Sequence, residues 1–180
     1  SDIPAEVIRA NEAVPSSLPA PLFKMGETVV HVHLSGYRKE LAKEVNLYVN
    51  TLLNGQQSYT APINADTGEA EFKFWQYGSA QAFALAGIGV NKFWLAPGEE
   101  IDLYIDMHQS GQMLMDRRTQ EKQLPPFKST PACYATGTYA GLTSPALYPD
   151  TPYSMELYSR EFADYKMTAA EYTQHVIQLY

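Results

Sequence analysis

The sequence is poor in cysteine, in positive charge and in long apolar runs, and each shortage excludes a class of function. There is one cysteine, Cys133. A disulfide framework needs cysteines in pairs, thiolate zinc sites need at least two, and a redox C-x-x-C pair is absent. The thiol's neighbours, Thr130-Pro131-Ala132-Cys133-Tyr134, include no His or Lys to activate it. It reads as a small buried apolar group rather than a nucleophile. Lys and Arg total 13 against 20 Asp and Glu, a net charge of −7. That lacks the basic footprint a phosphate backbone demands, so nucleic acid is not an expected partner. No stretch reaches the ~18 apolar residues of a membrane span. The longest weakly apolar run, residues 80–90, is broken by Gln81 and by glycines. The opening Ser1-Asp2-Ile3-Pro4 shows neither the charged nor the apolar region of a signal peptide, which leaves the compartment open.

What is present is enough for an ordinary folded domain. The chain has 180 residues, 45 % apolar and 18 % charged. A chain of this size buries roughly 70 % of its unfolded surface, so it needs neither metal nor disulfide to fold. No cofactor is expected. Three regions differ in pattern. Residues 1–26 form an extended, proline-rich lead-in: Val14-Pro15-Ser16-Ser17-Leu18-Pro19-Ala20-Pro21 is no helix interior, although residues 5–13 suit a short helix. Residues 27–132 switch to a period of two. Thr28-Val29-Val30-His31-Val32-His33-Leu34 puts Val30, Val32 and Leu34 on one face and the histidines on the other. Val45 to Asn50, Ala70 to Phe74 and Ile101 to Asp106 alternate in the same way, with further strands expected over 57–63, 81–85 and 91–95. Asn54-Gly55, Asp66-Thr67-Gly68 and Pro97-Gly98 punctuate them as turns. About seven short strands with hairpin spacing predict an antiparallel β-sandwich or partly open barrel.

From residue 110 to 132 the alternation fades into solvated charge and the loop Leu124-Pro125-Pro126-Phe127, with room for one late strand. Residues 133–180 read as a helical extension. Thr151-Pro152 places a cap before a proline at the first helical position. Thr168-Ala169-Ala170-Glu171 is a capping box, with Met167 and Tyr172 spaced as its hydrophobic staple. Tyr172, Val176 and Leu179 then share a face. This helix starts with a full signature and reaches Tyr180 without a stop signal, so the native chain is expected to continue.

Few residues suggest chemistry. His31 and His33, two apart on a strand, project from one face about 6.5–7 Å apart. They suit zinc or copper if a third ligand arrives from a neighbouring strand, and suit a solvated polar face otherwise. Asp102 and Asp106 share a face but lie ~13 Å apart by strand rise, beyond the separation a glycosidase needs. No G-x-S-x-G elbow or phosphate-binding glycine loop exists, and Gly36-Tyr37-Arg38-Lys39 reads as a turn. No catalytic residue is expected. The aromatic residues are the remaining resource. Trp75, Tyr77 and Trp94 flank strands, where they would stack on sugar rings, dock a protein, or bury beneath the tyrosine-rich C-terminal helices.

The strand pattern resembles a known family. Val29-Val30-His31-Val32-His33-Leu34-Ser35-Gly36-Tyr37 and Glu44-Val45-Asn46-Leu47-Tyr48-Val49-Asn50 open it. Asn64-Ala65-Asp66-Thr67-Gly68-Glu69-Ala70-Glu71-Phe72-Lys73-Phe74 looks like its "dGxFxF" hairpin. Phe93 to Asp106, with Pro97-Gly98-Glu99-Glu100-Ile101-Asp102-Leu103-Tyr104-Ile105-Asp106, looks like its "lxPGexixlxiD" strand, and Ala135 to Leu142 looks like its following segment. The chain thus resembles the N-terminal β-domain and helical segment of TlpA-like thiol–disulfide oxidoreductases. The resemblance implies a non-catalytic accessory module in the periplasm or cell envelope, with room for a lipid anchor upstream of residue 1. Its partner would be a thioredoxin-like domain of the same polypeptide, C-terminal to Tyr180. The family's C-x-x-C has no counterpart here, so no catalytic residue carries over. A stand-alone glycan-binding sandwich is the alternative.

Overall fold

A computed structural model describes residues 3–17, 19–87, 90–111 and 132–143, together with 168, 170, 171, 173 and 174. It divides the chain into two compact units, one of Ser1–Leu124 with Ser129–Leu147, the other of Pro125–Lys128 with Tyr148–Tyr180. In the first unit the period-two segments become strands, because alternation gives each one an apolar face to bury. They are β1 (Met25–Ser35), β2 (Glu44–Thr51), β3 (Gly55–Pro62), β4 (Glu69–Tyr77), β5 (Ala80–Leu85), β6 (Asn91–Leu95), β7 (Glu100–Asp106) and β8 (Cys133–Ala135). A short helix, α1 (Ala5–Glu12), precedes them. The protein is mainly β, a sandwich of two open four-stranded sheets ordered β4-β1-β7-β8 and β3-β2-β5-β6.

Two details depart from the expected pattern. Six strand pairs are registered, and β1 with β7 is a parallel pair, not antiparallel. The long path from β1 through the other sheet returns the chain alongside β1 in the same direction, and nothing in the local alternation encodes that. The second departure is the border at residue 132. Cys133–Ala135 pairs with β7 and belongs to the sandwich, and a 3-10 turn at Ala140–Thr143 lies in the same unit. Three residues are too few to display a period of two.

The inner faces make the core. Val30, Val32 and Leu34 of β1 are buried with Val45, Leu47 and Val49 of β2, Phe72 and Phe74 of β4, Phe93 and Leu95 of β6, and Ile101, Leu103 and Ile105 of β7. Each such side chain contributes about 1.5–3 kcal/mol on burial. Tyr59 of β3 stacks on Phe74 at 4.6 Å, and the Asn64 amide donates to the Glu69 carbonyl. These contacts run β3 and β4 antiparallel from one sheet into the other. Gly26 is required by crowding, since a Cβ there would meet the Gly98 Cα at 2.6 Å. Gly68 turns the chain into β4 at φ 73°, a left-handed conformation that glycine adopts without strain.

Two buried amides replace missing ladder partners. Asn11 of α1 donates to the Ala135 carbonyl at 2.8 Å and accepts from the Ala135 amide at 3.0 Å. The helix thereby closes the edge of β8 as another strand would. Gln76 of β4 donates to the carbonyls of Gly78 (2.7 Å) and Leu95 (3.1 Å), the latter in the opposite sheet. Its Oε1 accepts from the Thr28 hydroxyl at 3.0 Å, and that hydroxyl accepts from the Gly98 amide at 3.1 Å.

In the second unit the capping box forms as its spacing predicts. The Thr168 amide donates to Glu171 at 2.7 Å, and the Glu171 amide donates to the Thr168 hydroxyl at 3.3 Å. The Thr168 amide and the Thr168 hydroxyl, both donating to the Glu171 carboxylate, hold that carboxyl below its ordinary range. The Thr151-Pro152 cap, the staple of Met167 and Tyr172, the apolar face of Tyr172, Val176 and Leu179, and the loop over 112–131 lie outside the described residues.

Gln76 tests the inter-sheet link. Gln76→Leu keeps a similar volume but strips partners from two carbonyls and the Thr28 hydroxyl. A loss of about 2–3 kcal/mol in urea unfolding is expected, because buried polar groups left unpaired cost more than the bond itself.

Candidate functional site

The outer face of the sheet β4-β1-β7 carries the titratable groups. β1 is flanked on both sides, so the polar side chains of its neighbours reach its histidines. His31 stands between Glu71 of β4, 3.3 Å from its Nδ1, and Glu100 of β7, 2.8 Å from its Nε2. His33 stands between Glu69, 3.4 Å from Nδ1, and Asp102, 2.7 Å from Nε2. Tyr104 stacks on the His33 ring at 4.7 Å and fixes its plane. Each ring nitrogen of the two histidines thus faces a carboxylate oxygen. Lys73 extends the row on β4 by bonding Glu71 at 3.0 Å, and that carboxylate holds its ammonium above the usual lysine range. Beside the row lies an open groove of about 660 Å³, lined by His31, His33, Glu69, Glu71, Pro62 and Asn64 among others.

This geometry bears directly on the metal reading of His31 and His33. Both Nε2 atoms face β7 and both Nδ1 atoms face β4, each against its own carboxylate. The histidines form two parallel rungs rather than one cage. Among the described residues no group of three or more His, Cys, Asp or Glu could hold a metal ion. Strand spacing reveals the i, i+2 pair, but its carboxylate partners depend on register between strands distant in sequence.

The three aromatic residues are not brought together. Trp75 and Tyr77 lie two apart on the outer face of β4, exposed at 57 % and 48 %. Trp94 belongs to β6 in the other sheet, half-buried against Ala96, Tyr139 and Leu142. Other large apolar residues, absent from the sequence-based candidates, are exposed as well. Met25 is registered opposite Tyr77, and Phe23 precedes it in a segment bonded to Gly78 and Ser79. Leu52 and Leu53 form the tip of the β2–β3 hairpin. Their signal was a leucine pair inside a turn, where polar residues are the norm.

Cys133 is buried, and desolvation pushes its thiol up to about 12. Burial likewise raises the Tyr104 and Tyr134 hydroxyls, with neighbouring carboxylates adding to it. No described helix is long and apolar enough to cross a membrane. Among known proteins, no family model and no curated sequence matches this chain.

The thiol supplies a direct check. Ellman's reagent at pH 8 is expected to leave native Cys133 unmodified and to titrate one thiol per chain in denaturant. Rapid labelling of the native protein would contradict the burial.

Proposed function

We propose that this chain is a non-catalytic accessory and interaction module of a cell-envelope thiol–disulfide oxidoreductase. The reactive dithiol would belong to a thioredoxin-like domain that follows it in the same polypeptide. One observation carries the non-catalytic part: the only thiol in the sequence is sealed in the sandwich and held as a protonated sulfhydryl at neutral pH. The motif resemblance supports the family assignment. The "dGxFxF"-like segment forms the turn into β4, and the "lxPGexixlxiD"-like segment runs from β6 through the Pro97-Gly98 turn into β7. Two measurements test the reading. The isolated chain is expected to give no turnover in insulin reduction. The coding sequence after Tyr180 is expected to encode a C-x-x-C within a βαβ pattern. Turnover by the chain alone, or a continuation without a dithiol, overturns it.

A second reading rests on Trp75 and Tyr77. Two exposed rings two residues apart on one strand face form a platform on which a glycan would stack. Trp94, in the other sheet, is not part of it. Titration with an oligosaccharide panel should then shift tryptophan emission at millimolar sugar, and Trp75→Ala should abolish the shift. No shift with any sugar removes this reading.

A further inference from the structure

We propose that the free edge of β3 docks the β3 edge of a second copy of this chain, the two strands pairing antiparallel about a two-fold axis at Ser58. The proposal does not rest on the oxidoreductase reading.

The two sheets end in the strands β4, β8, β3 and β6, and three of these edges are guarded. β8 is closed by Asn11, which bonds both backbone groups of Ala135. β4 presents Glu69, Glu71 and Lys73, and charge on an edge opposes strand addition. β6 has five residues, carries Lys92, and is flanked by Tyr139 and Leu142, which pack with Ala96 and Trp94. β3 has none of these devices. Its eight residues, Gly55–Pro62, hold no charge and pair one for one with β2, so no bulge turns the strand away. Gly55, Gln56, Ser58 and Thr60 are exposed.

The backbone of β3 faces outward at alternate residues. The Ile63 amide donates to the Lys43 carbonyl at 2.9 Å. With Pro62 registered opposite Glu44, the odd-numbered residues of β3 are then the ones bonded to β2. Gln56, Ser58 and Thr60 therefore turn their N–H and C=O away from it. Pro62, next in that series, has no N–H and ends the run. The side chains leave this edge clear. Gln56 donates to Asn50 at 3.0 Å, Thr60 to Asn46 at 2.8 Å, and Gln57 to the Asn54 carbonyl at 2.9 Å. The Tyr59 ring stacks inward on Phe74.

These open groups select the occupant. About a two-fold at Ser58, that residue meets Ser58 of the other copy and Gln56 meets Thr60, each pair exchanging two backbone bonds. Every outward N–H and C=O of the three residues is then matched. Charge agrees with this arrangement. Residues 51–65 contain no charged residue. Glu44, opposite Pro62, and Glu69, bonded to Asn64, flank one end of β3, and Glu71 lies on the same half of β4. The two-fold sets that end against the uncharged turn Leu52-Leu53-Asn54 of the other copy. Two chains of net −7 thus meet without carboxylates opposed along the seam.

Sedimentation equilibrium from micromolar to millimolar chain is expected to show a monomer–dimer equilibrium. Ser58→Pro removes an outward N–H at an edge position that tolerates proline, and should raise the dimer dissociation constant at least tenfold. Ser58→Lys, which sets two ammonium groups opposite each other, should do the same. Thermal unfolding of both variants checks that the fold survives. Cysteine reads the register. Ser58→Cys should form an interchain disulfide on mild oxidation, since facing Cα atoms in such a pair lie about 5.5 Å apart. Gln56→Cys should not, being roughly 13 Å along the strand from its own equivalent. A monomer at millimolar chain overturns the proposal, as do a dimer that the folded variants retain, growth beyond a dimer, and equal cross-linking through Gln56→Cys.

Discussion

The side-chain amide of Gln76 is the link on which the arrangement of the sandwich depends. Packing of apolar faces holds two sheets together but does not set their lateral position, because dispersion and desolvation have little directionality. A buried amide does, since each of its groups must meet a partner at hydrogen-bonding distance. Gln76 reaches from β4 to the Leu95 carbonyl across the sandwich and to the Gly78 carbonyl in its own turn. The Thr28 hydroxyl joins the same network and ties in the Pro97-Gly98 turn through the Gly98 amide. The exposed neighbours Trp75 and Tyr77 are therefore held on a strand end that is anchored from inside.

β1 has a comparable position within its sheet. Its inner face supplies Val30, Val32 and Leu34 to the core, and its outer face supplies two histidines between rows of carboxylates. Four carboxylates from two flanking strands would repel one another across a bare central strand. Imidazole rings interleave them and offer a nitrogen to each side. A lysine would place one mobile charge there, whereas the ring fills the space between strands in a fixed plane, stacked on Tyr104 in the case of His33. At partial exposure such contacts contribute little stability, so their effect is chiefly on strand order.

Much of the fold was legible in the sequence, and the reasons are local. Alternation of apolar and polar residues located seven strands because a half-buried strand imposes that period on its own residues. The capping box at Thr168 and Glu171 was legible because its two partners are three residues apart. What was hidden is set between segments far apart in the chain. The parallel pairing of β1 with β7, the partners of His31 and His33, and the separation of Trp94 from Trp75 all follow from which strand lies beside which. β8 was hidden for another reason: its three residues gain a strand conformation from β7 and from Asn11, not from their own pattern.

The surface chemistry is divided along the length of the strands. The ends of β1 and β4 nearest Ser35 and Glu69 carry ionised rows beside an open groove, and the opposite ends carry exposed apolar side chains. Burial alone would favour the reverse assignment for Phe23, Leu52 and Leu53, which gain nothing in water. Burial raises the single thiol, Cys133, and the Tyr104 and Tyr134 hydroxyls above their ordinary ranges. The exposed apolar side chains are the part of this surface whose hydration water opposes most.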